Sequence, residues 1–286
     1  LVSEGLPTRV LQGVGALEEV ASHPSVDAVM AAIVGAAGLA SCLAAARAGK
    51  HVFVEKPFTM TKASAEAAVA ACRKAGVVMA LGHNRRFLPA VAEMKRLIAA
   101  GALGTLCHVE GQFSGPSAIS FKPGMWRADR HESPLGGMGG MGIHMIDMMI
   151  NLAGPIAEVT VRSLTRALTN GLDDTTAGLF SFASGATGCF ATLALAPRVW
   201  RVALYGTDAA LELNGHEKLS FTPREGEGWV KEFPKTDIEH AELAAFAAAV
   251  NGGPAYPLPV EDAIHGVAVF EAMIGAAASG STYRVA

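Results

Sequence analysis

The sequence predicts a parallel α/β unit over residues 1–87, followed over 88–286 by an α+β unit built on an open, mostly antiparallel sheet. Two observations carry this. In the first third, short continuous apolar runs of strand length alternate with alanine-rich helical stretches closed by glycine, the pattern of strands buried on both faces by crossover helices. From Ile156 to Phe233 the texture becomes mainly β, with turn signals at Ser184-Gly185, Asn214-Gly215 and Gly226-Glu227-Gly228.

Taken in order, Ala16 to Val20 reads as a short helical piece and Val26 to Val34 as a buried strand. Gly35-Ala36-Ala37-Gly38 leads into a helix from Leu39 to Ala48, stopped by Gly49. The strand at His51-Val52-Phe53-Val54 should stop at Glu55-Lys56, because Pro57 has no N–H and disfavours helix before it. A helix from Lys62 to Ala75 and a strand from Val77 to Leu81 complete the unit. Beyond Pro89 come a helix to Ala100, a strand from Thr105 to Phe113, a Gly/Pro-rich loop and a Gly- and Met-rich helix near Gly142 to Leu152. Two helices, Ile238 to Asn251 and Glu261 to Ala278, close the chain.

Composition narrows the function classes. With 286 residues, 51% apolar and 17% charged, the chain can bury a substantial core. A net charge of −3 without blocks of like charge excludes a nucleic-acid footprint. The longest apolar stretch, Val26 to Ala48, is broken by glycines and flanked by Asp27 and Arg47, so no membrane span is expected. Cys42, Cys72, Cys107 and Cys189 form no C-x-x-C pair and predict a reducing, cytoplasmic setting.

Ligands of open parallel sheets bind beyond the carboxyl ends of the strands. Lys56, Asn84 and Arg86 fall there, although each reads equally as a charge or amide at a solvated strand end. Gly35, between a strand and a helix N-terminus, is placed to face an anion. Gly137 to Gly142 spells G-x-G-x-x-G but follows a polar loop rather than a buried strand, so it is not a dinucleotide fingerprint; its glycines would still let backbone approach a ligand. His144 is either a packing histidine held by Asp147 or an acid/base partner of Lys56. Trp126 and Arg127 line a pocket or pack. The other histidines show no metal-ligand spacing, and no metal is expected.

Together, Glu55-Lys56-Pro57, Gly82-His83-Asn84-Arg85-Arg86-Phe87, Trp126-Arg127 and the run from Gly136 to Gly142-Ile143-His144 resemble the Gfo/Idh/MocA oxidoreductases, from about Pro24 to the C-terminus. The resemblance implies a Rossmann domain, NAD or NADP as cofactor, and hydride transfer to or from a sugar, polyol or related hydroxy compound. It places Lys56 at the substrate hydroxyl and the cofactor, and His144 at proton transfer. Cofactor contacts are then expected from Gly35, Glu55, Lys56, Asn84 and Arg86, and substrate contacts from Trp126 and Arg127.

The chain departs from the family pattern in three places. Gly140 stands where members usually carry an aspartate, four residues before the histidine. Ile33 to Gly38 replaces a threonine-proline-asparagine-type turn, and Val26 to Gly49 instead resembles 1-deoxy-D-xylulose 5-phosphate reductoisomerase. No first β-α-β with its glycine fingerprint is visible, which predicts a shortened chain with weak cofactor affinity. The alternative is a cofactor-poor, non-catalytic homologue serving as a binding or assembly module. A small-molecule substrate is the expected partner, with self-association through one face of the C-terminal sheet; Leu193, Leu195, Val202 and Leu204 are candidates, with no face assigned to any of them.

Overall fold

The structure, a computed structural model, describes residues 9–13, 15–32, 38–122 and 124–286, without the side chain of Trp126. Three parallel strands, β1 (Ala28–Ala31), β2 (His51–Val54) and β3 (Met79–Leu81), form a small sheet in the order β1-β2-β3. Helices α1 (Ala16–Ala21), α2 (Gly38–Arg47) and α3 (Lys62–Ala75) alternate with them, as parallel strands require long crossovers. The side chain of Thr61 caps α3 at its start, and Gly76 ends it at φ 67°, a conformation glycine adopts without steric cost.

After α4 (Pro89–Ala99) the chain builds a nine-stranded sheet. It comprises β4 (Leu106–Ser114), β5 (Ile156–Leu164), β6 (Thr175–Phe182), β7 (Thr187–Leu193), β8 (Val199–Gly206), β9 (Ala209–Asn214), β10 (Lys218–Pro223), β11 (Trp229–Glu232) and β12 (Tyr283–Arg284). The strand order is β11-β10-β9-β8-β4-β7-β6-β5-β12. Every pairing is antiparallel except β4 with β7, where Glu110 lies opposite Cys189.

One face of this sheet is the main core. Val109, Val159, Phe180, Phe190, Val202, Leu204, Leu211 and Leu213 point inward, with α5 (Gly142–Ala153) and α7 (Val260–Ser279) contributing to the same core. Val202 and Leu204 are fully buried there, so these two of the four candidates for self-association are ruled out. Successive apolar residues at 202, 203 and 204 gave alternation nothing to choose a face by. The opposite face carries Thr160, Leu179, Cys189, Glu110, Ala203, Glu212 and Ser220 in one cross-strand row.

A second core lies under the small sheet, and the C-terminal helices return to it. Phe246 of α6 (Ile238–Val250) meets the ring of Phe53 edge-on, and Tyr256, Leu258, Ala263 and Val267 join the same cluster. Helix α7 enters both cores, with Ala263 and Val267 in one and Val269, Phe270 and Met273 in the other. Among the described residues, no helix is long and apolar enough to cross a membrane.

Candidate active site

The three parallel strands end level with one another, Ala31 beside Val54 and Val54 beside Leu81, so the residues that follow are gathered at one edge. Gly82 lies against the Glu55 carboxylate, which a Cβ at that position would meet at 3.3 Å. Lys56 follows, joined to Pro57 by a cis peptide bond. Its Nζ reaches away from the sheet and donates to the carbonyl oxygen of Gly140 at 3.2 Å.

That contact closes one side of a cavity of about 300 Å³. Lys56 and Pro57 come from the parallel sheet, while Phe121, Arg127, Glu132, the glycines from Gly136 to Gly140, and Met141 come from the loop before α5. Leu172 and Ala194 complete an apolar wall from the ends of the large sheet. Gly136 sits at φ 57°, and a Cβ there would collide with the carbonyl oxygen of Asp173, so this wall requires glycine. Gly139 and Gly140 face open space among the described residues. Burial holds the Lys56 ammonium below the ordinary lysine range, with Arg85 and Arg127 acting in the same direction and Glu55 opposing.

His144 is not among the residues that line the cavity; it stands three residues beyond Met141, in the first turn of α5, and is 5% exposed. Its ring meets His83 edge-on at 5.4 Å and Phe113 at 6.2 Å, and the Arg85 guanidinium sits over the other ring at 4.6 Å. Burial first, then the Arg85 and Lys56 cations, depress the His144 imidazole well below the usual histidine range. Burial likewise pushes His83 down to about 4, against the pull of Asp147. Both rings are therefore neutral near pH 7, and the Nδ1 atoms of both lack hydrogen-bond partners among the described residues.

Asp147 does not orient His144. Its carboxylate accepts three hydrogen bonds from Arg86, at 2.8 to 3.0 Å, and Arg86 also donates to Asp262 of α7 at 3.1 Å. This buried ion cluster pins the turn after β3 to α5 and α7. Removing one partner of such a cluster costs on the order of 3–5 kcal/mol, because a charge is left buried. Asn84 turns outward to Glu239 of α6 at 2.9 Å and accepts from Arg85.

The structure thus brings Lys56 and Arg127 to one cavity, with Glu55 beside the strand end, while His144 is buried in α5 outside its lining, Arg86 is turned inward and Asn84 is turned to Glu239. Gly35 and the side chain of Trp126 lie outside the described residues. Phe121, Glu132, Leu172 and Ala194 were not anticipated. The glycine run from Gly136 was the one usable signal, since it marks close backbone approach to a ligand.

A parallel sheet offering its strand ends to a lysine-bearing cavity, backed by a large open sheet, is the architecture of a Rossmann-type unit joined to an α+β unit. The family model "Oxidoreductase family, NAD-binding Rossmann fold" matches residues 6–83, and the "GFO/IDH/MocA C-terminal domain" matches residues 91–212. The chain belongs to the Gfo/Idh/MocA oxidoreductases, an NAD-binding family. Among its relatives is the 1,5-anhydro-D-fructose reductase of Ensifer adhaerens, 29% identical over 96% of this chain and 84% of that protein. The 1-deoxy-D-xylulose 5-phosphate reductoisomerase of Nitrosomonas europaea is 56% identical, over only 22% of this chain and 15% of its own length. A levoglucosan dehydrogenase solved with NADH and levoglucosan shares the fold, with a TM-score of 0.82 and 23% identity over 94% of this chain and 82% of that one.

Proposed function

We propose that this chain is an NAD(P)-dependent oxidoreductase acting on a sugar, polyol or related hydroxy compound, with Lys56 as the group that meets the reacting oxygen. The observation that carries the reading is the Lys56 ammonium, held among the described residues by one backbone carbonyl at the wall of a cavity of monosaccharide size. Among those residues, two of its N–H groups are left for a ligand. In a half-buried site an ammonium beside a hydroxyl stabilises alkoxide character as it develops. The sugar-acting relatives support the substrate class.

The strand ends suit the nicotinamide end of the cofactor. Gly82 leaves the backbone open beside the Glu55 carboxylate, and the Lys56 ammonium follows directly after it. Glu55 and Lys56 would hold that group, which when bound supplies the hydride chemistry, and Asn84 would join them on exchanging its Glu239 contact for the cofactor. Arg86 acts indirectly, by fixing the turn that carries Asn84. Arg127 serves the substrate, and so does Trp126 in this reading. His144, kept neutral by burial, takes the hydroxyl proton; with Gly140 in place of a carboxylate, the packing of Phe113 and His83 fixes its ring.

The functional division falls between residues 87 and 88, cofactor before and substrate after. Four free cysteines support a cytoplasmic setting, and the uncovered face of the large sheet supports self-association. Sedimentation at roughly tens of micromolar should show a dimer or larger species; a monomer would contradict that part.

Turnover decides the main reading. Aldoses, their anhydro derivatives and polyols, offered with NAD⁺ or NADP⁺, should give reduced nicotinamide absorbance. Absence of turnover in both directions, together with no calorimetric binding of either cofactor, would favour a binding or assembly module instead.

A further inference from the structure

On the face of the large sheet opposite the main core, outside the cavity lining, three metal-ligating side chains converge. His108 and Glu110 stand two residues apart on β4 and so share a face, and Cys189 of β7 lies directly opposite Glu110. One donor atom from each, an imidazole nitrogen, a carboxylate oxygen and the thiol sulfur, lie within 4.8 Å of one another. All three side chains are half-buried. An N, O and S set of this kind matches zinc and similar divalent transition metals rather than magnesium or calcium, which take oxygen ligands.

The surroundings orient these donors as outer partners orient metal ligands. Thr187 sits 2.8 Å from His108 Nδ1 and donates its own hydroxyl proton to the Cys107 carbonyl at 3.4 Å. In that arrangement Thr187 accepts from Nδ1–H, the tautomer whose Nε2 is unprotonated and able to ligate. Arg201 and Tyr205 both donate to Oε2 of Glu110, at 2.7 and 3.3 Å, and leave Oε1 without a hydrogen bond among the described residues. Arg201 already pairs with Glu110, so an ion here would meet one shared carboxylate charge together with the thiolate.

We propose that His108, Glu110 and Cys189 form a binding site for a zinc-class divalent cation on the open face of the sheet. The ion displaces the thiol proton, takes three protein ligands and keeps one position for water. This site is independent of the oxidoreductase cavity and survives or fails separately from it.

Cobalt(II) is the probe, because its thiolate complexes absorb where zinc is silent. Tag-free, chelator-stripped protein titrated with Co²⁺ should bind one equivalent with a sulfur-to-cobalt charge-transfer band, which equimolar Zn²⁺ abolishes. Cys189→Ser should remove the band, whereas Cys107→Ser should retain it. Thr187→Val keeps every ligand and should weaken binding by about 10–100-fold while preserving the band at saturation. No charge-transfer band at one equivalent, a band that survives Cys189→Ser, or a band lost in Cys107→Ser would each overturn the assignment. Should Cys189→Ser misfold by circular dichroism, the Cys107→Ser and Thr187→Val arms decide the question alone.

Discussion

At the scale of single residues, burial keeps His83 and His144 neutral, and that has a consequence for stability. His83 titrates near its ordinary 6.5 when unfolded and at about 4 when folded. Between those values the unfolded chain binds more protons, so stability is fully present above about pH 6.5 and is lost as pH falls toward about 4. His144 acts with the same sign. Urea unfolding at about pH 5 should show a loss of roughly 2 kcal/mol relative to about pH 7.5, and His83→Asn should reduce that loss. An unchanged difference in the variant would mean that other groups carry the acid sensitivity. Arg86 shows where sequence reading stops at this scale. A strand-end arginine looks like a ligand group, but its role depends on Asp147 and Asp262, brought to it by α5 and α7.

At the scale of elements, α5 sets the depth at which His144 sits, and its closeness to the sheet rests on a glycine. A Cβ at Gly111 of β4 would meet Met145 Cγ at 2.7 Å and Met149 Sδ at 2.8 Å. Gly111→Val should therefore push α5 outward and cost about 1–3 kcal/mol, read from the urea midpoint at constant slope. A change within experimental error would show that the two methionines repack freely. The helices and strands themselves were legible, because apolar period and glycine stops mark them: α3 falls on Lys62–Ala75 as expected. Strand pairing was not. Nothing local announces that β7 joins β4 in parallel, and that pairing alone unites His108 and Glu110 with Cys189. The expectation of no metal spacing read separations along the chain, where the register across strands was needed.

At the scale of the whole molecule, the cavity exists because two structures dock. Lys56 arrives on the parallel sheet, and Gly140 on the loop that feeds α5. The Arg86 ion cluster and α7, which runs through both cores, are among the connections that hold the sheets together. The change of texture near Pro89 was legible in the sequence; the return of α6 and α7 to the first core was not, since apolar helices do not state which sheet they cover. The central claim is that Lys56 acts on the reacting oxygen, and a kinetic comparison of Lys56→Ala with the parent chain tests it most directly. The account predicts a fall in kcat of about 10²–10³, with cofactor dissociation constants nearly unchanged. A kcat within about threefold of the parent would contradict it and leave Lys56 as a strut between the two sheets.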